Sequence, residues 1–321
     1  MQLWDDKPYY SLNTLLRERF GEKVYKLALN GGTTCPNRDG TLGTRGCIFC
    51  SAGGSGDFAG SRIQSVTAQI EEQKKKIQKK RPVGKFIAYF QAYTGTYAPY
   101  EKLEQSFTEA IRHPDIAAVS IGTRPDCLGL PASLTGASPK LPADSGILDL
   151  LERLNREKPV WIELGLQTIH ESTASYIRRG YPLSCFQAAV SALKERNLEI
   201  IVHTILGLPG ETREDILQTI AYLNTLPVSG IKLQLLHVLK NTDLAADYAE
   251  GKFETLSREA YLDLLIACIE HLSPDIAIHR VTGDGPRDLL IAPLWSSAKR
   301  TVLNDLHHEM KVRNSWQGKE L

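Results

Sequence analysis

The sequence predicts an α/β fold in which a parallel sheet curls into a barrel or partial barrel of six or seven strands. Short runs of β-branched and apolar residues alternate with longer stretches of helical periodicity. Beyond a long glycine-rich loop these runs recur every ~30 to 45 residues, the length of a βα unit with its loops. The chain has 321 residues, 42% of them hydrophobic. At roughly 100 to 200 residues per domain, that suits two domains or one large barrel with extensions.

Strands are expected at 24–29 (VYKLAL), 85–91 (KFIAYFQ), 118–122 (AVSIG), 160–166 (VWIELGL), 199–206 (EIIVHTIL), 231–238 (IKLQLLHV) and 275–281 (DIAIHRV). Between them, Ser65 caps a helix running through Lys80, with Ile70 and Ile77 on one face. Further helical patterns cover 100–112, 146–157, 184–196 and 212–225, Thr212 capping the last above an acidic first turn at Glu214 and Asp215. Another helix is expected from Ser296 to Arg313. Segments 1–23 and 284–321 read as N- and C-terminal extensions packed on a core spanning 24–283, since neither holds enough apolar residues to bury a core alone.

Lys and Arg number 38 against 37 Asp and Glu, so no global field draws the chain to nucleic acid or an anionic membrane. No apolar stretch reaches the ~18 uninterrupted residues of a spanning helix. The opening MQLWDDKPYYS lacks a secretory pattern, which makes a cytoplasmic, reducing setting the expectation. There, six cysteines read first as metal ligands, reactive thiols or core packing.

Cys35, Cys47 and Cys50 lie within sixteen residues, in a segment from Asn30 to Gly60 that holds nine of the 25 glycines. Such a loop bends tightly and approaches something closely. Structural zinc takes four closed ligands, and ordinary iron-sulfur clusters also take four cysteines. Three thiolates on a 4Fe-4S cluster leave one iron open. The spacing alone leaves cluster and zinc both standing.

The segments KPYYSLNTLLRERFGEKVYKLALNGGTTCPNRDGTLGTRGCIFCS, YFQAYTGTY, GTRPDCL, LGLPGET and HRVTGDGPRDLLIAPLW together resemble the radical S-adenosylmethionine (SAM) superfamily. The resemblance is to the branch containing the Elongator catalytic subunit, and within it to a bacterial family of YhcC/YtqA type. It covers almost the whole chain. One departure is the eleven residues between Cys35 and Cys47, where three are usual; enlarged loops of this kind occur in the Elongator-like branch. The resemblance implies a partial (β/α)6 TIM-like barrel of the radical SAM type, with Cys35, Cys47 and Cys50 holding a [4Fe-4S] cluster. It also implies SAM as cosubstrate, cleaved reductively to methionine and a 5'-deoxyadenosyl radical, and a flavodoxin- or ferredoxin-like electron donor. Gln91, Tyr93 and Thr94 then stand where relatives bind the SAM amino group, with Arg124 of GTRPDCL beside that site. Glu163 and Gln167 match a ribose-binding motif, and Arg179 matches the methionine-carboxylate arginine, with Arg178 its rival. His203 takes the place of a ribose contact, and Gly207 and Gly210 bring backbone close to adenine.

Other features carry two readings each. Cys127 is a hydrogen-atom donor or a buried structural thiol; Cys185 and Cys268 read as core. His203, His237 and His279 are expected to converge on one face, and His307 and His308 to lie on the surface. The basic run 74–85, KKKIQKKRPVGK, is a solvated helix face or a phosphate contact for RNA near the active-site entrance. Gly283, Gly285 and Arg287 form a turn-and-cap element. The functional expectation is a radical SAM enzyme whose substrate is left open, with tRNA or RNA modification as the candidate reaction. The alternative is a non-catalytic zinc or iron-sulfur regulatory module, or an electron-transfer protein.

Overall fold

In the computed structural model, the described residues are 2–79, 83–135, 145–283 and 285–321. The strands are β1 (Tyr25–Leu29), β2 (Phe86–Phe90), β3 (Ile116–Thr123), β4 (Val160–Gln167), β5 (Glu199–Leu206), β6 (Gly230–Leu235), β7 (Val238–Leu239), β8 (Ala277–Arg280) and β9 (Leu290–Ala292). The helices are α1 (Leu12–Phe20), α2 (Val66–Gln78), α3 (Tyr100–Arg112), α4 (Ala132–Thr135), α5 (Ile147–Asn155), α6 (Glu171–Tyr176), α7 (Leu183–Glu195), α8 (Arg213–Asn224), α9 (Asp243–Ala249), α10 (Arg258–Glu270) and α11 (Lys299–Val312). One seven-stranded sheet runs β1-β2-β3-β4-β5-β6-β8, every neighbouring pair parallel. Consecutive parallel strands joined through helices curl into a partial barrel.

Caps fix the helix starts. Ser65 accepts from the Ala68 N–H, and Thr212 with Asp215 forms a capping box. Lys80, the expected end of the helix after Ser65, lies outside the described residues. The expected strand 231–238 is in fact two. The chain leaves the barrel after Leu235, and Val238–Leu239 pairs antiparallel with β9 instead. Both halves are apolar, so hydrophobicity alone does not mark the break.

Side chains alternate along each strand, so inward residues stack in layers. Val24, Ile87, Ala118, Trp161 and Ile201 form an apolar floor that Leu16 of α1 joins. Two residues further along the same segments stand Lys26, Tyr89, Ser120, Glu163 and His203, a polar layer. Two further again come Gln91, Gly122 and Gly165, which line the chamber above.

The barrel does not close on itself; β1 and β8 are its edges. The N-terminal segment covers that seam, the Ile278 N–H donating to the Tyr10 carbonyl at 2.7 Å. Gln317, fully buried, locks the segment in place. Its carbonyl oxygen accepts from the Tyr10 N–H, and its amide donates to the Ser273 and Ile276 carbonyls.

Candidate active site

The loop after β1 folds back over the strand C-termini and is tied down along its length. The Arg38 N–H donates to the Cys35 carbonyl at 2.8 Å, and the Cys50 N–H to the Cys47 carbonyl at 3.0 Å. The Arg38 guanidinium donates to the carbonyls of Cys50 and Ser51. Asn37 Nδ2 bridges the Cys47 sulfur, 3.3 Å away, and the Arg178 carbonyl. Between Cys47 and Cys50, Ile48 is buried in a satellite core with Ile177, Leu208, Leu236, Val238 and Leu244. Arg45 and Arg178 both reach the Asp243 carboxylate at the start of α9. Gly54 is at φ +57, and a Cβ there would come 2.2 Å from the Tyr93 ring, so only glycine lets Tyr93 pack under the loop.

One chamber of about 170 Å³ lies beneath this loop, and all three cysteines line it. Gln91, Tyr93, Thr94, Arg124, Glu163, Gln167, Arg179 and His203 line it too. The structure thus brings most of the sequence-derived residues together, but it gives several of them work of their own. Tyr93 donates its hydroxyl to the Ala52 carbonyl, and the Thr94 N–H donates to Thr34, so this strap holds the cysteine loop. Arg124 forks onto Asp126 at 2.9 and 2.6 Å. Arg179, 1% exposed, donates to the carbonyls of Leu166, Thr168 and Tyr181 and to Glu171.

Glu163 and His203 differ most from the ribose reading, because they belong to the polar layer and bind each other. His203 Nε2 lies 2.7 Å from Glu163 Oε2. Glu163 also takes the Lys26 ammonium at 2.5 Å, the Ser120 hydroxyl at 2.6 Å and the Lys232 ammonium. Burial opposes ionisation of Glu163, but Lys232 and Lys26 outweigh it and hold the carboxyl well below its usual range. Burial pushes Lys232 down to about 7 and His203 to about 4, so the imidazole is neutral at physiological pH.

Other expectations fare differently from one another. Gly207 and Gly210 do not line the chamber; both have φ +84, and Gly207 faces Leu256. Arg178 points to Asp243 instead. Cys127 is fully buried outside the chamber, its sulfur 3.6 Å from Asp126, which is the place of a structural thiol; Cys185 and Cys268 are likewise buried. Of the three histidines, His203 and His237 line one cavity, whereas His279 packs on Trp161 near the barrel floor with ring centroids 5.6 Å apart. His307 is half-buried and bonds Tyr9 at 3.2 Å. Gly283 has a packing reason, since a Cβ there would lie 2.4 Å from the His237 ring.

The basic run lies at the opposite end of the barrel from the cysteines. A helix after a parallel strand runs back toward the strand N-termini, and Lys74 there bonds Glu71 and Asp115, the latter next to the start of β3. Lys76 pairs with Glu72 and Lys85 with Glu22; 80–82 lie outside the described residues. Sequence reasoning missed Lys26, Tyr89, Lys232 and Arg280. The available signal was a polar residue in the middle of an apolar strand.

The donor set fits an iron-sulfur cluster better than one zinc ion. Zinc at about 2.3 Å per sulfur draws thiolates to within ~4 Å of one another. Among the described residues, the one trio of candidate ligand atoms mutually within 4.8 Å is Glu71, His113 and Asp115, and Lys74 already fills it. The three sulfurs are not gathered that closely, a spacing looser than a single zinc ion takes. Burial pushes the Cys47 thiol up to about 11 and raises that of Cys50; bound metal would supply the charge that lets them ionise.

Comparison with known proteins gives the chain a family. The family model described as Radical SAM superfamily covers residues 33–223, and the Radical_SAM C-terminal domain covers 228–312. The chain belongs to the radical SAM superfamily. It is similar to the YtqA protein of Bacillus subtilis (strain 168), 43% identical over 98% of this chain and 93% of that one. It is more distantly similar to a tRNA uridine(34) acetyltransferase of Dehalococcoides mccartyi, 26% identical over 47% of this chain and 34% of that one. Among solved structures, the archaeal Methanocaldococcus infernus Elp3 shares the fold, with TM-score 0.63 and 15% identity over 92% of this chain and 64% of that one. The radical SAM family uses a [4Fe-4S] cluster and SAM, and the chain is an enzyme of that family. Among the described residues no helix is long and apolar enough to cross a membrane.

Proposed function

We propose that Cys35, Cys47 and Cys50 hold the [4Fe-4S] cluster and that the chamber beneath them binds SAM and the reacting part of an RNA substrate. The observation that carries this is the single chamber running from three cysteines to a charged barrel layer. When bound, the cluster supplies an electron that cleaves SAM to methionine and a 5'-deoxyadenosyl radical. The rest falls to the protein. Gln91 and Gln167 offer amides to polar groups of SAM, and Arg124 places positive charge near its carboxylate. Ile48 and Phe49 keep water from the loop, so a reactive radical meets substrate before solvent. RNA as substrate is supported by the likeness to the tRNA uridine acetyltransferase; the basic run does not support it. A cytoplasmic setting and a flavodoxin- or ferredoxin-like donor follow from the same reading.

Anaerobically reconstituted protein with dithionite is expected to release 5'-deoxyadenosine from SAM, and Cys50→Ala to release none. No release from fully loaded wild type under any reductant would end the catalytic reading. Bulk tRNA from cells lacking the protein should raise 5'-deoxyadenosine yield above that with tRNA from wild-type cells; equal yields from both would count against RNA.

A further inference from the structure

The polar layer of the barrel is short of negative charge. Glu163 gives one oxygen to Lys26 and the other to Lys232, so two ammonium groups share one carboxylate. His203 adds no charge, being neutral above about pH 4. Tyr89 partly offsets the excess, its ring facing Lys26 at 4.8 Å and Lys232 at 4.6 Å. Among the described residues lining the chamber, Glu163 is the one carboxylate against five cations, of which Arg124 and Arg179 are paired with Asp126 and Glu171 behind the wall.

Lys232 is the residue left incomplete. It is 4% exposed, and an ammonium has three donors. Two are used, by Glu163 and by the Tyr89 hydroxyl at 3.1 Å. Lys232 lines the chamber and is in register with His203 on β5 and Arg280 on β8. A buried, under-satisfied cation is costly and marks a site that binds or reacts.

We propose that this layer is the receptor for an oxyanion group of the substrate, a carboxylate or a phosphate, met by the third donor of Lys232. This rests on the reading of the chamber as the substrate site and names the chemistry of what enters it. The anion completes the Lys232 hydrogen bonds and balances the second lysine. Tyr89, Glu163, His203 and Arg280 line the same chamber from four other strands, and Lys26 reaches the layer through Glu163; a bound anion also lifts Lys232 from about 7 toward the ordinary lysine range.

The test is thermal unfolding of cluster-loaded protein at constant ionic strength, titrated with sodium acetate, sodium phosphate or sodium chloride. One oxyanion is expected to raise Tm saturably where chloride does not, acetate indicating a carboxylate and phosphate a phosphate. Lys232→Met should weaken that response tenfold or more, and Lys299→Met, outside the chamber, should leave it intact. If Lys232→Met does not fold, Lys232→Gln removes the charge while keeping a hydrogen-bonding side chain. The response should persist under saturating SAM. The proposal is overturned if neither oxyanion exceeds chloride, if the folded Lys232 variant responds like wild type, or if SAM abolishes the response, which would make the site that of the SAM carboxylate. Wild type that releases 5'-deoxyadenosine yet ignores both anions sinks this proposal alone.

Discussion

Gly54 and His203 show what single residues decide here. Gly54→Ala places a methyl group inside the Tyr93 ring at positive φ, a strain of about 1–3 kcal/mol. Its expected effects are a lower Tm and less iron retained per chain on gel filtration, with the sheet unchanged by circular dichroism. His203 is held near pKa 4 by burial and by Lys232. The unfolded imidazole takes a proton at about 6.5, so between those values the unfolded state binds more protons and stability falls as pH falls. The loss from His203 alone is on the order of 3 kcal/mol. Glu163, with its pKa depressed, contributes stability above the ordinary carboxylate range that is lost at still lower pH. Urea unfolding from about pH 7 to about pH 4 should show this slope, and His203→Gln should lessen it, leaving the share of His237 and His279, which burial also lowers. Little of this was legible in the sequence. The imidazole and Glu163 were visible, but Lys26 and Lys232, which bind Glu163, stand far apart in sequence, and only the curl of the sheet sets them on one carboxylate.

At the scale of elements, the barrel strands were legible because each is a short β-branched run between turn residues. What escaped was where a run ends: Leu236, His237 and Val238 continue an apolar pattern while the backbone leaves for another sheet. The consequence reaches the cysteines, since β7 leads into α9, and α9 carries Asp243. That carboxylate bridges Arg45 within the loop and Arg178, whose carbonyl holds Asn37 and thereby Cys47. Asp243→Asn should cost little stability, about 1 kcal/mol or less for partly exposed pairs. It should nevertheless speed the loss of iron to a chelator, followed by the bleaching of cluster absorbance. An unchanged bleaching rate would show that the ties through Asn37, Arg38 and Ile48 hold the loop without Asp243.

Across the whole molecule, the two ends of the chain meet over the seam. Gln317→Ala removes three hydrogen bonds in a fully buried place, leaving partners unsatisfied at a cost on the order of 3 kcal/mol. A Tm lowered by several degrees is expected, with the N-terminal segment becoming the first site of proteolysis. The inside-out layering, with an apolar floor below charge, was only half legible: Glu163 and His203 read as separate site contacts and Lys26 and Lys232 were missed, so the connected layer did not show.

That meeting of the ends also bears on synthesis. Tyr10 leaves the ribosome early, yet its partners Ile278 and Gln317 follow some three hundred residues later. Contacts of such long sequence separation are slow to form, so the seam stays open while the strands of the barrel assemble. Until Gln317 docks, the Tyr10 segment lies over the seam without the hydrogen bond that Gln317 gives it.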